Sequence, residues 1–312
     1  MKKIKILTGI LVAGLSLSAC SSDDDSAENK KVDSDYKVEH VHGLAYTKDN
    51  AIYLASHEGL IQTKDNGENW SFTGDVDFDF MGFHVQSDGT MLTSGHPGPE
   101  SDLPDPLGLM ESNDNGQNWE SKSLLGEVDF HVLTSNHSNP NLLFGVIQME
   151  SDKYEAGIYK SIDKGSSWEK IKATGLPKDL HGIYTLVSLP SDENVLLAGT
   201  NEGVLRSENG GQNWENVDNS RLITSISTIP GTNDLISYSI LENEAGVMIS
   251  KDYGASWKNI GLYLEEDAVA YFAINPEDTE KIAVVTFENS LLISEDGGQN
   301  WETLMDKGTL KN

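Results

Sequence analysis

The 312-residue chain has a single cysteine and only two arginines, and its acidic residues outnumber its basic ones by more than two to one. With Cys20 alone, the mature domain has no internal disulfide and no cysteine-ligated metal site. Arg206 and Arg221 cannot supply a site that needs three guanidinium groups around one anion. Fifty Asp and Glu against 22 Lys and Arg leave a formal net charge of -28. Such a surface repels phosphate backbones and anionic lipid heads, so nucleic acid is not an expected partner. The chain also lacks a His-Glu-x-x-His metal signature, a Gly-rich phosphate loop and an exposed nucleophile elbow. No helix-rich region is visible.

What is present begins with an export signal over 1–19. Lys2, Lys3 and Lys5 precede an apolar run from Ile6 to Leu17, which is too short for a permanent membrane span. It ends in Leu17-Ser18-Ala19-Cys20, which resembles the lipobox of bacterial lipoproteins. That resemblance implies cleavage before Cys20, lipid on its thiol and amine, and a mature protein held outside the cytoplasm on the cell membrane. Residues 20–35 are Ser, Asp, Glu, Asn and Lys with almost nothing apolar, and are expected to form a disordered acidic tether.

The rest of the chain is organised by an octet, Ser/Thr-x-Asp/Asn-x-Gly-x-x-Trp, that occurs six times at intervals of 43 to 49 residues, with Thr63 opening the first copy. Its third and eighth positions are Asp65 and Trp70, Asp114 and Trp119, Asp163 and Trp168, Asn209 and Trp214, Asp252 and Trp257, and Asp296 and Trp301. A fixed period of this length marks a repeat architecture. The octet reads as a turn between strands. The Asp carboxylate, or the Asn209 carbonyl, accepts nearby backbone N–H groups. The Gly supplies positive φ, and the Trp opens the next strand and buries its ring against the neighbouring repeat. Six copies of one acid point to structure, since catalysis needs an acid once or twice.

From Tyr36 on, each repeat divides into four short strands rich in branched and aromatic residues, separated by Gly, Asn, Asp and Pro. In the first repeat these are His42–Tyr46, Ala51–Ser56, Leu60–Lys64 and Trp70–Thr73. In the second the innermost strand is placed at Phe83–Gln86. Six such units predict an all-β fold, a six-bladed β-propeller over 36–308 with the octets between the third and fourth strands of each blade. Ring closure stays open between pairing of Tyr36–Val38 with a neighbour and packing alone.

The octet resembles the Asp-box, or BNR repeat, of sialidases, sortilin-type propellers, some glycanases and photosystem assembly factors. The chain also looks like a group of exported bacterial Asp-box proteins that carry a glycosylhydrolase label. The resemblance covers nearly the whole mature chain. It implies the propeller, but these families share the motif without sharing an activity. A sialidase would require an arginine cluster, a Tyr–Glu nucleophile pair and an acid. Two arginines disfavour that activity, and the sequence favours binding over catalysis.

In this register the loops before the first strand and after the second strand of each blade share one face, near the axis. His40, His42, His84, His131 and His181 are placed at or just before first strands, and His57 and His96 just after second strands. These seven are expected at one mouth, while His137 falls on the octet face. Asp77, Asp79, Met81, Asp129, Met149, Glu150 and Arg221 are placed at the same mouth as further ligand-binding candidates. The loop His96 to Pro106, with four of the nine prolines, hangs beside it.

Imidazoles converging on an axis suit zinc or copper, and a thioether from Met81 or Met149 would favour copper. The expected function is therefore a lipid-anchored binding propeller holding a metal ion, or a small or peptide ligand, at a His-rich mouth. Two alternatives stay open at this point. One is a glycoside hydrolase using the carboxylates of Asp77, Asp79, Asp129 and Glu150. The other is a scaffold or assembly factor that meets a protein partner of a membrane complex through the acidic rim.

Overall fold

The computed structural model of the protein describes residues 29–33 and 35–311. The export signal and the expected lipidation site, Cys20, lie outside the described residues. The expectation of an all-β, six-bladed propeller is met. Blade 1 comprises β1 (Val41–Tyr46), β2 (Ile52–Ser56), β3 (Gly59–Thr63) and β4 (Ser71–Phe72). Blade 2 has β5 (Asp79–Val85), β6 (Met91–His96), β7 (Leu109–Ser112) and β8 (Glu120–Ser123). Blade 3 has β9 (Val132–Ser135), β10 (Leu143–Ile147), β11 (Gly157–Ser161) and β12 (Glu169–Lys170). Blade 4 has β13 (Ile183–Ser188), β14 (Leu196–Thr200), β15 (Gly203–Ser207) and β16 (Glu215–Asp218). Blade 5 has β17 (Leu222–Thr228), β18 (Leu235–Leu241), β19 (Glu244–Ser250) and β20 (Lys258–Gly261). Blade 6 has β21 (Val269–Ile274), β22 (Ile282–Thr286), β23 (Leu291–Ser294), β24 (Glu302–Asp306) and β25 (Thr309–Leu310). Among the described residues there is no α-helix.

Each blade is an antiparallel meander in chain order. The first strands β1, β5, β9, β13, β17 and β21 touch in sequence and close a ring, with β21 against β1. The second strands are sandwiched between blades, and β2, β10, β14 and β22 are buried along their whole length. That accounts for their unbroken apolar character.

The octets fold by local bonding. In the third copy Ser161 Oγ donates to Asp163 Oδ1 (2.8 Å) and accepts the Gly165 N–H (2.8 Å), while Asp163 Oδ1 also accepts the Ser167 N–H (2.9 Å). Asn209 reproduces this with its carbonyl, which accepts from Ser207 Oγ (3.0 Å) and the Asn213 N–H (2.8 Å). The fifth-position glycines have positive φ and pack on the preceding blade. A Cβ on Gly116 would stand 2.6 Å from Leu60 Cδ2. The tryptophans stand just before the fourth strands rather than inside them, and four donate their indole N–H to the octet glycine carbonyl. Trp70 is buried with Ile293, Leu304 and Met305 of blade 6, across the closing seam.

Closure uses pairing as well as packing. Val38 N–H donates to Gly308 O (2.9 Å), Lys37 bridges Thr309, and Val41 N–H donates to Asn289 Oδ1 (3.1 Å). The propeller thus extends past residue 308 into β25. At the other end, Lys30 to Val32, expected in the tether, lie along the outer strand of blade 1. Phe72 N–H donates to Lys30 O (2.8 Å) and Val32 N–H to Trp70 O (3.0 Å). The physical reason is the free edge of β4, which offers backbone partners, and the apolar Val32, which is buried there.

Candidate functional site

A backbone irregularity builds the mouth. The pairing of β1 with β2 runs Val41 to Ser56 and then Gly43 to Ala55, so His42 is an extra, unpaired residue. Such a bulge re-aims a side chain. The same shift recurs at Tyr184 of blade 4, Thr224 of blade 5 and Ala270 of blade 6. His42, Tyr184 and Ala270 all line an axial cavity of about 480 Å³. His40, just ahead of β1, has φ 50, a left-handed conformation uncommon outside glycine. Its ring stacks on His57 at 4.8 Å, and His57 stacks on His42 at 4.6 Å. Three imidazoles therefore share one corner of the mouth.

Asp79 completes that corner from blade 2. One ligand atom each from His42, His57 and Asp79 lie within 4.8 Å of one another. His57 Nε2 is 3.8 Å from Asp79 Oδ1, too far for a hydrogen bond. His42 Nε2 and Asp79 Oδ1 are both buried with no hydrogen-bond partner. Burial, then the neighbouring His57, His40 and His131, lower the His42 pKa to about 4. His42 is thus a neutral imidazole with a lone pair at pH 7.

Blades 2 and 3 supply a second corner. Asp129, with 13% of its side chain exposed, lies between His131 (Nδ1 to Oδ2, 3.2 Å) and His96 (Nε2 to Oδ2, 3.7 Å). Burial raises the Asp129 carboxyl, and the charges of His131 and His96 only partly oppose it. His96 is raised: burial pulls it down, but the Asp105 hydrogen bond and the charges of Asp129, Asp105 and Asp79 outweigh it.

Several expected members are elsewhere. His84, expected at the start of its strand, sits at the far end because β5 begins at Asp79, and there it shares the octet side of the cavity with His137. The acidic run through Asp77 and Asp79 is expected ahead of the innermost strand of blade 2. It is strand-like, with Phe78 and Phe80 buried on one side and Asp77 and Asp79 on the other, and Gly82 (φ 51) within a bulge lengthens it. Asp77 is exposed and its carboxylate lies over Gly98. His181 pairs with Asp179 (2.8 Å) and lines a separate groove with Gln148 and Lys172. Met81 is half-buried on β5. Met149 is 64% exposed, and Glu150 beside it is exposed. Arg221 Nε donates to Asp218 Oδ2 (3.1 Å) while its Nη1 is buried without a partner, and Arg206 donates Nη1 to Tyr253 O (2.9 Å).

Sequence reasoning missed Asp105 as the partner of His96 Nδ1 (2.6 Å), hidden in a proline-rich loop with no periodicity. It missed the cavity too, whose walls alternate along the inner strands. Leu44, Leu133 and Leu186 mix there with Ser135, Ser188 and Ser227. Tyr184, 39% exposed, turns its ring into this space.

No protein-family model matches the chain, and no curated protein matches it by sequence. Solved structures that resemble it are β-propellers. An ancestral GH74 enzyme superposes with a TM-score of 0.53 at 18% identity, covering 87% of this chain and 39% of that one. YCF48 bound to D1 peptide gives 0.51 at 17%, covering 88% and 84%. A gluconolactonase from Xanthomonas campestris gives 0.57 at 11%, covering 83% and 87%. The chain spans about two fifths of the length of that GH74 enzyme. At these identities the likeness is one of fold.

Proposed function

We propose that this is an Asp-box propeller, lipid-anchored through Cys20 outside the cytoplasm, that binds a divalent metal ion, zinc or copper(II), at His42, His57 and Asp79. The observation that carries the metal reading is the convergence of three donor atoms within 4.8 Å, two of the residues bearing a buried atom with no hydrogen-bond partner. Buried polar atoms are seldom left unpaired without a reason. Two imidazoles and a carboxylate, with a position left open, form the donor set that zinc takes in catalytic sites, and nitrogen and oxygen donors also suit copper(II). Of the four carboxylates considered for glycoside hydrolysis, Asp79 and Asp129 lie against imidazoles, and Asp77 and Glu150 are exposed.

The test is elemental analysis of the purified chain, with calorimetric titration of Zn²⁺ and Cu²⁺. Stoichiometric binding at micromolar metal, abolished in His57→Ala, is expected. Absence of binding, or binding unchanged in His57→Ala and in Asp79→Ala, would overturn the reading.

A further inference from the structure

The metal reading leaves the axial cavity unused. We propose that this cavity binds an uncharged organic molecule with an apolar body and a few hydrogen-bonding groups. The proposal stands apart from the metal site, although His42 belongs to both linings.

The space exists because of what the bulges carry. In four blades a buried apolar residue, Val41, Ile183, Ile223 or Val269, is followed by the extra residue of the bulge. Blades 1 and 4 stand opposite in the ring of six, so His42 and Tyr184 approach the axis from opposite sides. The adjacent blades 5 and 6 carry smaller side chains at this level. Thr224 turns its hydroxyl to Val269 O (2.7 Å), and Ala270 offers only a methyl group. Small residues on one side therefore leave the axis open. The volume, about 480 Å³, falls in the range that takes small organic molecules.

The lining selects against charge. Among the described residues, Lys48 and Asp49 are the only Lys, Arg, Asp or Glu that line the cavity, and both are exposed in the loop between β1 and β2. Asp49 is already held by Thr47 Oγ1 (2.6 Å) and by Lys64 Nζ (3.5 Å). Burial keeps His42 and His84 neutral, each with its pKa lowered to about 4. A charged ligand would lose its water along the axis and find no counter-charge, which is costly.

The same walls suit an amphipathic molecule. Leu44, Leu133, Leu186, Ile226 and Phe272 present apolar surface. Among them stand the hydroxyls of Thr134, Ser225 and Tyr184, which hydrogen-bond to no other described residue. Each can donate one hydrogen bond and accept two. Tyr184 also supplies an aromatic face on which a ring can stack.

The experiment is a fluorescence titration of the full chain with N-phenylnaphthylamine, in chelator so that no metal contributes. This probe is uncharged, carries one N–H and brightens on leaving water. Binding of one equivalent is expected. Anilinonaphthalene sulfonate has the same rings with an added negative charge, and should bind at least about a hundredfold more weakly, at salt that screens the protein surface. Ala270→Phe fills the axis and should abolish binding of the neutral probe. Tyr184→Ala removes the stacking face and should weaken binding about tenfold. Far-UV circular dichroism checks the fold, and should Ala270→Phe fail to fold, Ser225→Leu replaces it with the same expectation. No binding of the neutral probe, or binding unchanged in the cavity-filling variant, overturns the proposal. Equal affinity for the sulfonate overturns the uncharged class. With chelator present throughout, failure here leaves the zinc reading standing, and absence of zinc binding leaves this proposal standing.

Discussion

Ser135, at the end of β9, donates its backbone N–H to His84 Nε2 of the neighbouring blade over 3.2 Å, and its hydroxyl lies 2.7 Å from the same nitrogen. The nitrogen can accept only while it carries no proton, so the contact between blades 2 and 3 selects neutral histidine. Burial, then the nearby His137, lower the His84 pKa to about 4.

A pH dependence follows, and its sign is fixed. Between pH 6.5 and about 4 the unfolded chain binds a proton at His84 that the folded chain refuses. Stability from this group is full above 6.5 and falls as pH drops toward 4, by at most about 1.4 kcal/mol per pH unit. His84→Gln keeps an acceptor that does not titrate. Urea titrations of the variant at pH 7, 6 and 5 should show a flatter pH dependence than wild type. An unchanged slope would show that Ser135 does not select the neutral ring.

The octet acids act lower on the scale. Hydrogen bonds from Ser167, side chain first and then backbone, bring Asp163 down to about 2, and Asn300 does likewise for Asp296 in direction. This stabilisation is present above 3.8 and is lost as pH falls through about 2. Since Asn209 makes the same turn with its carbonyl, Asp163→Asn should fold normally at pH 7 and unfold at lower pH than wild type. Acid titration monitored by tryptophan fluorescence measures the midpoint. A midpoint moved upward would contradict this account.

The ring is locked by the seam between the last blade and the first. Leu304 lies beneath Gly67, with its methyl carbons 3.4 Å from the position a Cβ would take, and shares a buried cluster with Trp70. Leu304→Ala should cost roughly 2–5 kcal/mol, seen as a lower urea midpoint with an unchanged m-value. Loss below about 0.5 kcal/mol would mean that the blades stay together without this contact.

Metal should raise stability by mass action. At a Zn²⁺ concentration a hundred times the dissociation constant, the expected gain is about 2.7 kcal/mol per site. Thermal melts with Zn²⁺ and with chelator read it. The shift should shrink in Asp79→Asn and in His57→Ala. Equal shifts in both variants and the wild type would place the ion away from the mouth.

The octets are legible in sequence because their hydrogen bonds close within eight residues. Their spacing therefore reports blade register directly, and register carries His40, His42, His57, His96 and His131 to one face. His84 shows where this stops. Placing it requires knowing where β5 begins, and the strand starts in an acidic run whose charge masks the alternation of Phe78 and Phe80 inward against Asp77 and Asp79. Asp105 is legible only once the loop has folded onto His96.

By itself, the sequence determined the number of blades, the strand order and the turn chemistry, all properties of segments shorter than a repeat. The tertiary structure alone decided which side chains meet. The bulge that turns His42 to the axis is an inserted residue in a ladder whose partner must be known. The unpaired atoms of His42, Asp79, Asp129 and His131 come from three blades. Their lack of partners is a property of ring closure, which brings the inner strands together and excludes the water that would otherwise satisfy them.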